Sequence, residues 1–202
     1  MKKTPIALAA LAAAALAGAA QAQTAPVSPF SLEVRGGLAL PTGDFGDLVD
    51  NGYTVGAEGN FMFTRQLGVY AGFTYNAFSL GEFAEAFGAD GELRDYGFNG
   101  GVTAMFATPT LPVTPFLKGG LVYHKAEINF DDDELNGDDD DSEFGLGFEV
   151  GGGVMIPLGP RLSFTPGIMY SSYKPGDEDD TGDDNDLDLS HIRLDVGLRI
   201  RF

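Results

Sequence analysis

The last eleven residues, Ile192 to Phe202, alternate without a break. Ile192, Leu194, Val196, Leu198, Ile200 and Phe202 fall on one side, and Arg193, Asp195, Gly197, Arg199 and Arg201 on the other. Successive side chains of a strand face opposite sides of its sheet, so this is a strand with one apolar and one charged face. Arginines on the hidden side and aliphatics outward suit a barrel set in lipid better than a water-soluble core. The strand also ends on an aromatic residue.

Seven further segments repeat the pattern. Leu32 to Leu40 opposes its aliphatics to Glu33 and Arg35, and Tyr53 to Phe63 opposes Thr54, Glu58 and Asn60. Leu67 to Tyr75 opposes Tyr70, Thr74 and Asn76, and Tyr96 to Phe106 opposes Asp95, Asn99 and Thr103. Leu117 to Tyr123 opposes Lys118 and His124, Phe144 to Ile156 opposes Glu149, and Leu162 to Tyr170 opposes Ser163, Thr165 and Ser171. Each segment is close to the ~10 residues that a tilted membrane strand needs.

The connections alternate in length. Thr64 to Gln66, Ala107 to Pro112 and Pro157 to Arg161 are short, whereas Pro41 to Gly52, Leu80 to Leu93, Ile128 to Ser142 and Lys174 to Leu189 are long and polar. The sequence therefore predicts an all-β fold, an eight-stranded antiparallel up-and-down transmembrane β-barrel with short turns on the periplasmic side. A soluble lipocalin-like barrel would instead turn its apolar face inward. Phe63, Phe106, Phe164 and Phe202 mark the expected periplasmic rim, and Tyr53, Tyr75, Tyr123 and Tyr170 the outer one. Pro115 and Pro166 fall inside strand patterns near the periplasmic end, where a bulge or late pairing has to absorb their missing N–H.

The other end of the chain reads as an export signal. Lys2 and Lys3 precede a short apolar run, and Ala20-Gln21-Ala22 has the small-x-small form of a cleavage site. We expect residues 1–22 to be a signal peptide, 23–30 a short lead and 31–202 the barrel, in the cell outer membrane as a monomer. No later stretch approaches twenty apolar residues, which excludes a helical membrane protein. The chain has no cysteine, hence no disulfide framework and no thiolate site. A net charge of -18 argues against nucleic acid as a partner.

Eight strands leave an interior just wide enough for side chains. The inward set carries Glu33, Glu58, Asp95, Glu149 and Asp195 against Arg35, Lys118, Arg193, Arg199 and Arg201. Small inward positions such as Gly72, Gly101, Gly120, Gly147, Gly151 and Gly197 leave room for long charged chains. Buried charges persist when paired and hydrogen-bonded, so the set predicts an ion-pair network plugging the lumen. A narrow gated ion path through the same charges is the alternative.

From Ser31 to Phe202 the chain resembles the small eight-stranded outer-membrane barrels of the OmpA transmembrane domain and OmpX type, within the porin-family barrels. In that family an apolar alternation ending on an aromatic is the signal read by the barrel-assembly machinery. Leu194, Val196, Leu198, Ile200 and Phe202 match it position by position. The resemblance implies outer-membrane lipids and that machinery as partners. Unlike full-length OmpA, the sequence continues into no domain after the barrel, so no peptidoglycan-binding role is implied.

The acidic connections carry the remaining chemistry. Asp132, Glu134, Asn136 and Glu143, with a glycine at Gly137, have the oxygen spacing of a calcium loop; Asp177, Asp179, Thr181 and Asp188 repeat it loosely. No cofactor is expected apart from calcium or magnesium on these loops, and looser condensation on clustered carboxylates is the competing reading. His191 beside Ser190, with Ser171 or Ser172 and Asp186 or Asp188, is the one set that resembles a nucleophile with its base. It lacks the His-x-Ser pattern of lipid-A deacylases, and no enzyme activity is expected. His124 reads as a lumen residue paired with a carboxylate. Leu80 to Leu93, with Phe83 and Phe87 among carboxylates, reads as a loop packed on the rim, or else as the mouth of a hydrophobic-solute conduit. The function expected is a structural or surface-interaction barrel with an extracellular partner that the sequence does not name.

Overall fold

The computed structural model describes residues 29–47, 49–80, 91–107, 112–130, 144–174 and 188–202. Eight strands form one closed antiparallel barrel in chain order: β1 (Phe30–Thr42), β2 (Val49–Met62), β3 (Leu67–Leu80), β4 (Gly91–Met105), β5 (Thr114–Phe130), β6 (Gly145–Pro157), β7 (Leu162–Tyr173) and β8 (Leu189–Arg201). Closure comes from β1 pairing with β8, from Ser31 opposite Arg201 to Thr42 opposite Ser190. Every strand thus has two neighbours and the sheet has no free edge, as a lipid environment requires of backbone donors and acceptors.

The alternation turns out as the side-chain period demands. Val34, Leu121, Val196 and Leu198 are half exposed or more on the outer face, while Arg35, Glu58, Lys118, Glu149 and Arg193 are buried inside. Phenylalanines ring the lower edge, where Phe30 packs on Phe202 at 5.7 Å and Phe61 on Phe63 at 5.5 Å. Tyrosines line the upper edge, Tyr53 at 6.3 Å from Tyr75 and Tyr75 stacked on Tyr96 at 6.4 Å. Above them come outward-facing charges: Arg94 holds Glu92, Lys125 holds Glu127 at 2.9 Å, and the Tyr96 hydroxyl donates to Glu127.

Pro115 lies at the second residue of β5, opposite Val154, and its carbonyl accepts the Phe106 N–H at 2.8 Å. Pro166 is handled by a gap: β6–β7 pairing stops after Gly153 opposite Gly167 and resumes at Ile156 opposite Phe164. Neither proline breaks the barrel, because Pro115 sits at a strand start and Pro166 falls in the unpaired stretch of the β6–β7 ladder.

Several expected boundaries move: β4 already begins at Gly91 and β5 runs on to Phe130, inside the connections drawn from Leu80 to Leu93 and from Ile128 to Ser142. Phe30 belongs to β1 rather than to the lead. The connection drawn from Pro41 to Gly52 is mostly structured: β1 runs to Thr42, a 3-10 helix spans Gly43–Asp47, and β2 begins at Val49. Gly43 sits at φ 64, a left-handed backbone that glycine adopts without strain. The expected signal peptide, residues 1–22, lies outside the described residues, as does the segment 81–90.

Candidate functional site

The lumen is the site that the fold builds, and it is layered along the barrel axis. At the periplasmic end Met105, Phe116 and Met155 are buried together, with Met62 packed against them. Above this apolar layer the Arg199 Nε donates to Glu33 Oε2 at 2.7 Å, and its guanidinium lies 5.9 Å from the Phe116 ring. Next, Glu58 accepts from both Arg35 and Lys118. Arg35 also faces Asp195 at 3.9 Å, and the Lys118 ammonium sits 5.0 Å from the Tyr70 ring centre.

Higher up, Glu149 is held by three donors: Arg193 Nη2 at 2.6 Å, the Tyr70 hydroxyl at 2.8 Å and Asn99 Nδ2 at 2.9 Å. Asp95 is held in the same manner by His124 Nδ1 at 2.8 Å, the Tyr173 hydroxyl at 3.0 Å and Asn76 Nδ2 at 2.9 Å. All four of these carboxylates are almost fully buried, and each has its compensating donors, which is the condition for burying a charge. The glycines give the room. A Cβ at Gly120 would lie 2.6 Å from the Tyr70 hydroxyl, and one at Gly197 would lie 2.8 Å from Glu33 Oε1.

A second apolar layer closes the extracellular end. Ala39, Phe45, Val49, Phe78, Leu93, Val122, Ala126, Tyr173 and Leu189 form one buried cluster. Phe45 comes from the 3-10 connector, which folds its ring inward edge-on against Phe78 at 5.2 Å. The ionic layers therefore lie between two apolar ones.

Most inward residues singled out in the sequence meet here, namely Glu33, Arg35, Glu58, Asp95, Lys118, Glu149, Arg193, Asp195 and Arg199. Arg201 does not. It is half buried at the periplasmic mouth, opposite Ser31, and among the described residues makes none of the lumen pairs, because β8 ends there and the network lies deeper. His124 does pair with a carboxylate. Among the described residues the nucleophile set is not hydrogen-bonded together: Ser190 donates to Ser172 at 3.0 Å and neither His191 ring nitrogen has a partner, while Asp186 lies outside the described residues. Tyr70, Asn76 and Asn99, which the alternation sets on the inner face, join the network, and Tyr173 could have been found by extending that alternation one step past Ser171. Phe45 could not, because it belongs to a connection.

Of the candidate metal ligands, Asp132, Glu134, Asn136, Glu143, Asp177, Asp179 and Thr181 lie outside the described residues. Asp188 is described and exposed, 4.0 Å from Lys174. Among the described residues no three His, Asp or Glu side chains are grouped to hold a metal ion. Charge is sharply segregated. Five of the thirty acidic residues face the lumen; the other twenty-five fall in the four connections at the Phe45 end or on strand residues beside them. The opposite turns carry Arg65 and Arg161 and no acid.

Residues 7–199 match the family described as outer membrane protein beta-barrel domain. The 25 kDa outer-membrane immunogenic protein of Brucella abortus is 29% identical over 112 residues, which are 54% of this chain and 50% of that protein. The chain thus spans about half the length of the curated relatives it matches. Neisserial surface protein A superposes with a TM-score of 0.62 at 20% identity, covering 88% of this chain and 100% of that one. Ail of Yersinia pestis, solved with the heparin analogue sucrose octasulfate, gives 0.52 at 16% identity over 85% of this chain and 97% of its own. At these identities the two structures speak for the fold.

Proposed function

Because this chain belongs to the outer membrane protein beta-barrel domain family and lies in the outer membrane, we propose that it is a closed surface barrel, without enzymatic activity, that presents an anionic face to the outside. One observation carries the closed part: buried carboxylates, each held by donors, run from Glu33 to Asp95 between two apolar layers. A hydrated ion would have to displace charged side chains that already hold one another. Liposome swelling tests this. Vesicles holding the folded barrel should admit arabinose no faster than empty vesicles, and swelling at a porin-like rate would overturn the reading.

The anionic face follows from the segregation of carboxylates, which favours cations by simple Coulomb attraction. Calcium or magnesium would bind there through carboxylate and carbonyl oxygens, with Asp132, Glu134, Asn136, Glu143, Asp177, Asp179, Thr181 and Asp188 as the first residues to test. Ail was solved with a sulfated polyanion. This chain's own negative charge repels such a polyanion and favours polycations instead. On immobilised barrel, pentalysine should be retained at low salt and heparin should not; the reverse order would sink the proposal. Calorimetric titration with millimolar calcium should give saturable heat, and none would remove the cation reading alone. Leu194, Val196, Leu198, Ile200 and Phe202, all outward and exposed, would be what the barrel-assembly machinery reads.

A further inference from the structure

Both histidines of the chain are fully buried at the same end of the lumen, and they are treated very differently. His124 gives its Nδ1 to Asp95. His191 gives nothing: it is 0% exposed and among the described residues neither ring nitrogen has a partner. Its ring lies 5.6 Å from Phe78, edge to face, and Phe78 lies directly beneath Phe45 of the 3-10 connector. Across the sheet it faces Ser171 on β7 and Pro41 on β1, and Ser171 Oγ is likewise unpartnered.

We propose that the Gly43–Asp47 connector is an acid-released lid, held shut by neutral His191 and opened when that ring takes a proton. An imidazolium here would need a charged acceptor, and among the described residues the unpartnered one across the sheet, Ser171 Oγ, is neutral. The nearby carboxylates are Asp95 on β4 and Glu149 on β6. Asp95 is already held by Asn76, His124 and Tyr173, and Glu149 by Arg193, Tyr70 and Asn99. The remaining charged neighbour, Arg193 on the same strand, repels a cation. Burying an unpaired charge is among the most costly events in a protein interior. The ring therefore stays neutral while it is buried against Phe78, on which Phe45 packs, and takes its proton once water reaches it.

The lid is built to move. Phe45 is its one side chain in the apolar cluster, and Gly43 at its root is set by backbone angle, with nothing within 4 Å of where a Cβ would stand. The sign follows from linkage. The open state binds a proton that the closed state does not, so opening is favoured as pH falls through the ordinary histidine range near 6.5. One such proton raises the open population roughly 25-fold between pH 7 and pH 5. Inward of the lid the ionic layers and the lower apolar layer remain, so lid opening does not by itself open a pore. A barrel that conducts at pH 7 would defeat the closed-barrel reading, whereas a lid insensitive to acid would defeat only this one.

Amide hydrogen exchange in bilayer nanodiscs reads the lid directly. After correction for intrinsic rates, the opening constant of residues 43–47 should rise roughly 25-fold from pH 7 to pH 5. In folded His191→Gln and His191→Leu barrels it should change less than about twofold, because neither side chain takes a proton over that range. His124→Gln should keep the rise. No rise in the unaltered protein, an equal rise in both His191 variants, or its loss in His124→Gln would overturn the proposal.

Discussion

Glu58 is the carboxylate on which the lumen depends most, and replacing it gives the sharpest test of the ion-pair account. It accepts from Arg35 and Lys118 together, and all three side chains are at most 5% exposed. Glu58→Gln keeps the shape and removes the charge. Arg35 is then left with Asp195 at 3.9 Å, and Lys118 with the faces of Tyr70 and Phe116. Removing one partner of a buried pair costs about 3–5 kcal/mol, and here two cations lose theirs, so we expect the upper part of that range. The effect is local: the lumen holds five acids and four bases, so deleting one acid would improve the overall balance. Urea unfolding of the refolded barrel, followed by tyrosine fluorescence since the chain has no tryptophan, gives the number. Adding Lys118→Met removes one stranded cation and should recover about 2 kcal/mol or more. A loss under about 1 kcal/mol for Glu58→Gln, or a double variant no more stable than the single, would refute the reasoning.

Three further outcomes are expected. Asp95→Asn keeps the size but offers three donors one good acceptor, and should lower unfolding stability by about 1–3 kcal/mol in the same assay. Thr103→Val removes a buried hydroxyl that has no partner among the described residues, so the stability should stay within about 0.5 kcal/mol of the parent or rise. Gly197→Val would put a Cβ 2.4 Å from Thr165 Oγ1 and 2.8 Å from Glu33 Oε1, and should cost about 1–3 kcal/mol by overpacking.

Strand alternation made the barrel readable from the chain, because a period of two assigns every side chain to lipid or lumen once a single strand is oriented. It placed Glu33, Glu58, Asp95 and Glu149 on the inner face together with Arg35, Lys118, Arg193 and Arg199. Alternation gives direction without height, however. It could not say that Arg201 lies below the network, or that Asp95 pairs with His124 rather than with an arginine, since height depends on strand tilt and register. Phe45 was hidden for a different reason. It follows Gly43 in a polar stretch that reads as solvated, and only the inward fold of the connector brings its ring onto Phe78. Tyr70 and Tyr173 were readable by direction, but their hydroxyl partners come from strands far away in sequence.

The closed lumen is the central claim, and single-channel recording of the purified barrel in planar bilayers at pH 7 tests it most directly. The account predicts a baseline without resolved steps for the parent chain, and brief openings once Glu58→Gln is combined with Phe45→Ala and Phe116→Ala. Stable, long-lived steps from the parent chain itself would contradict it.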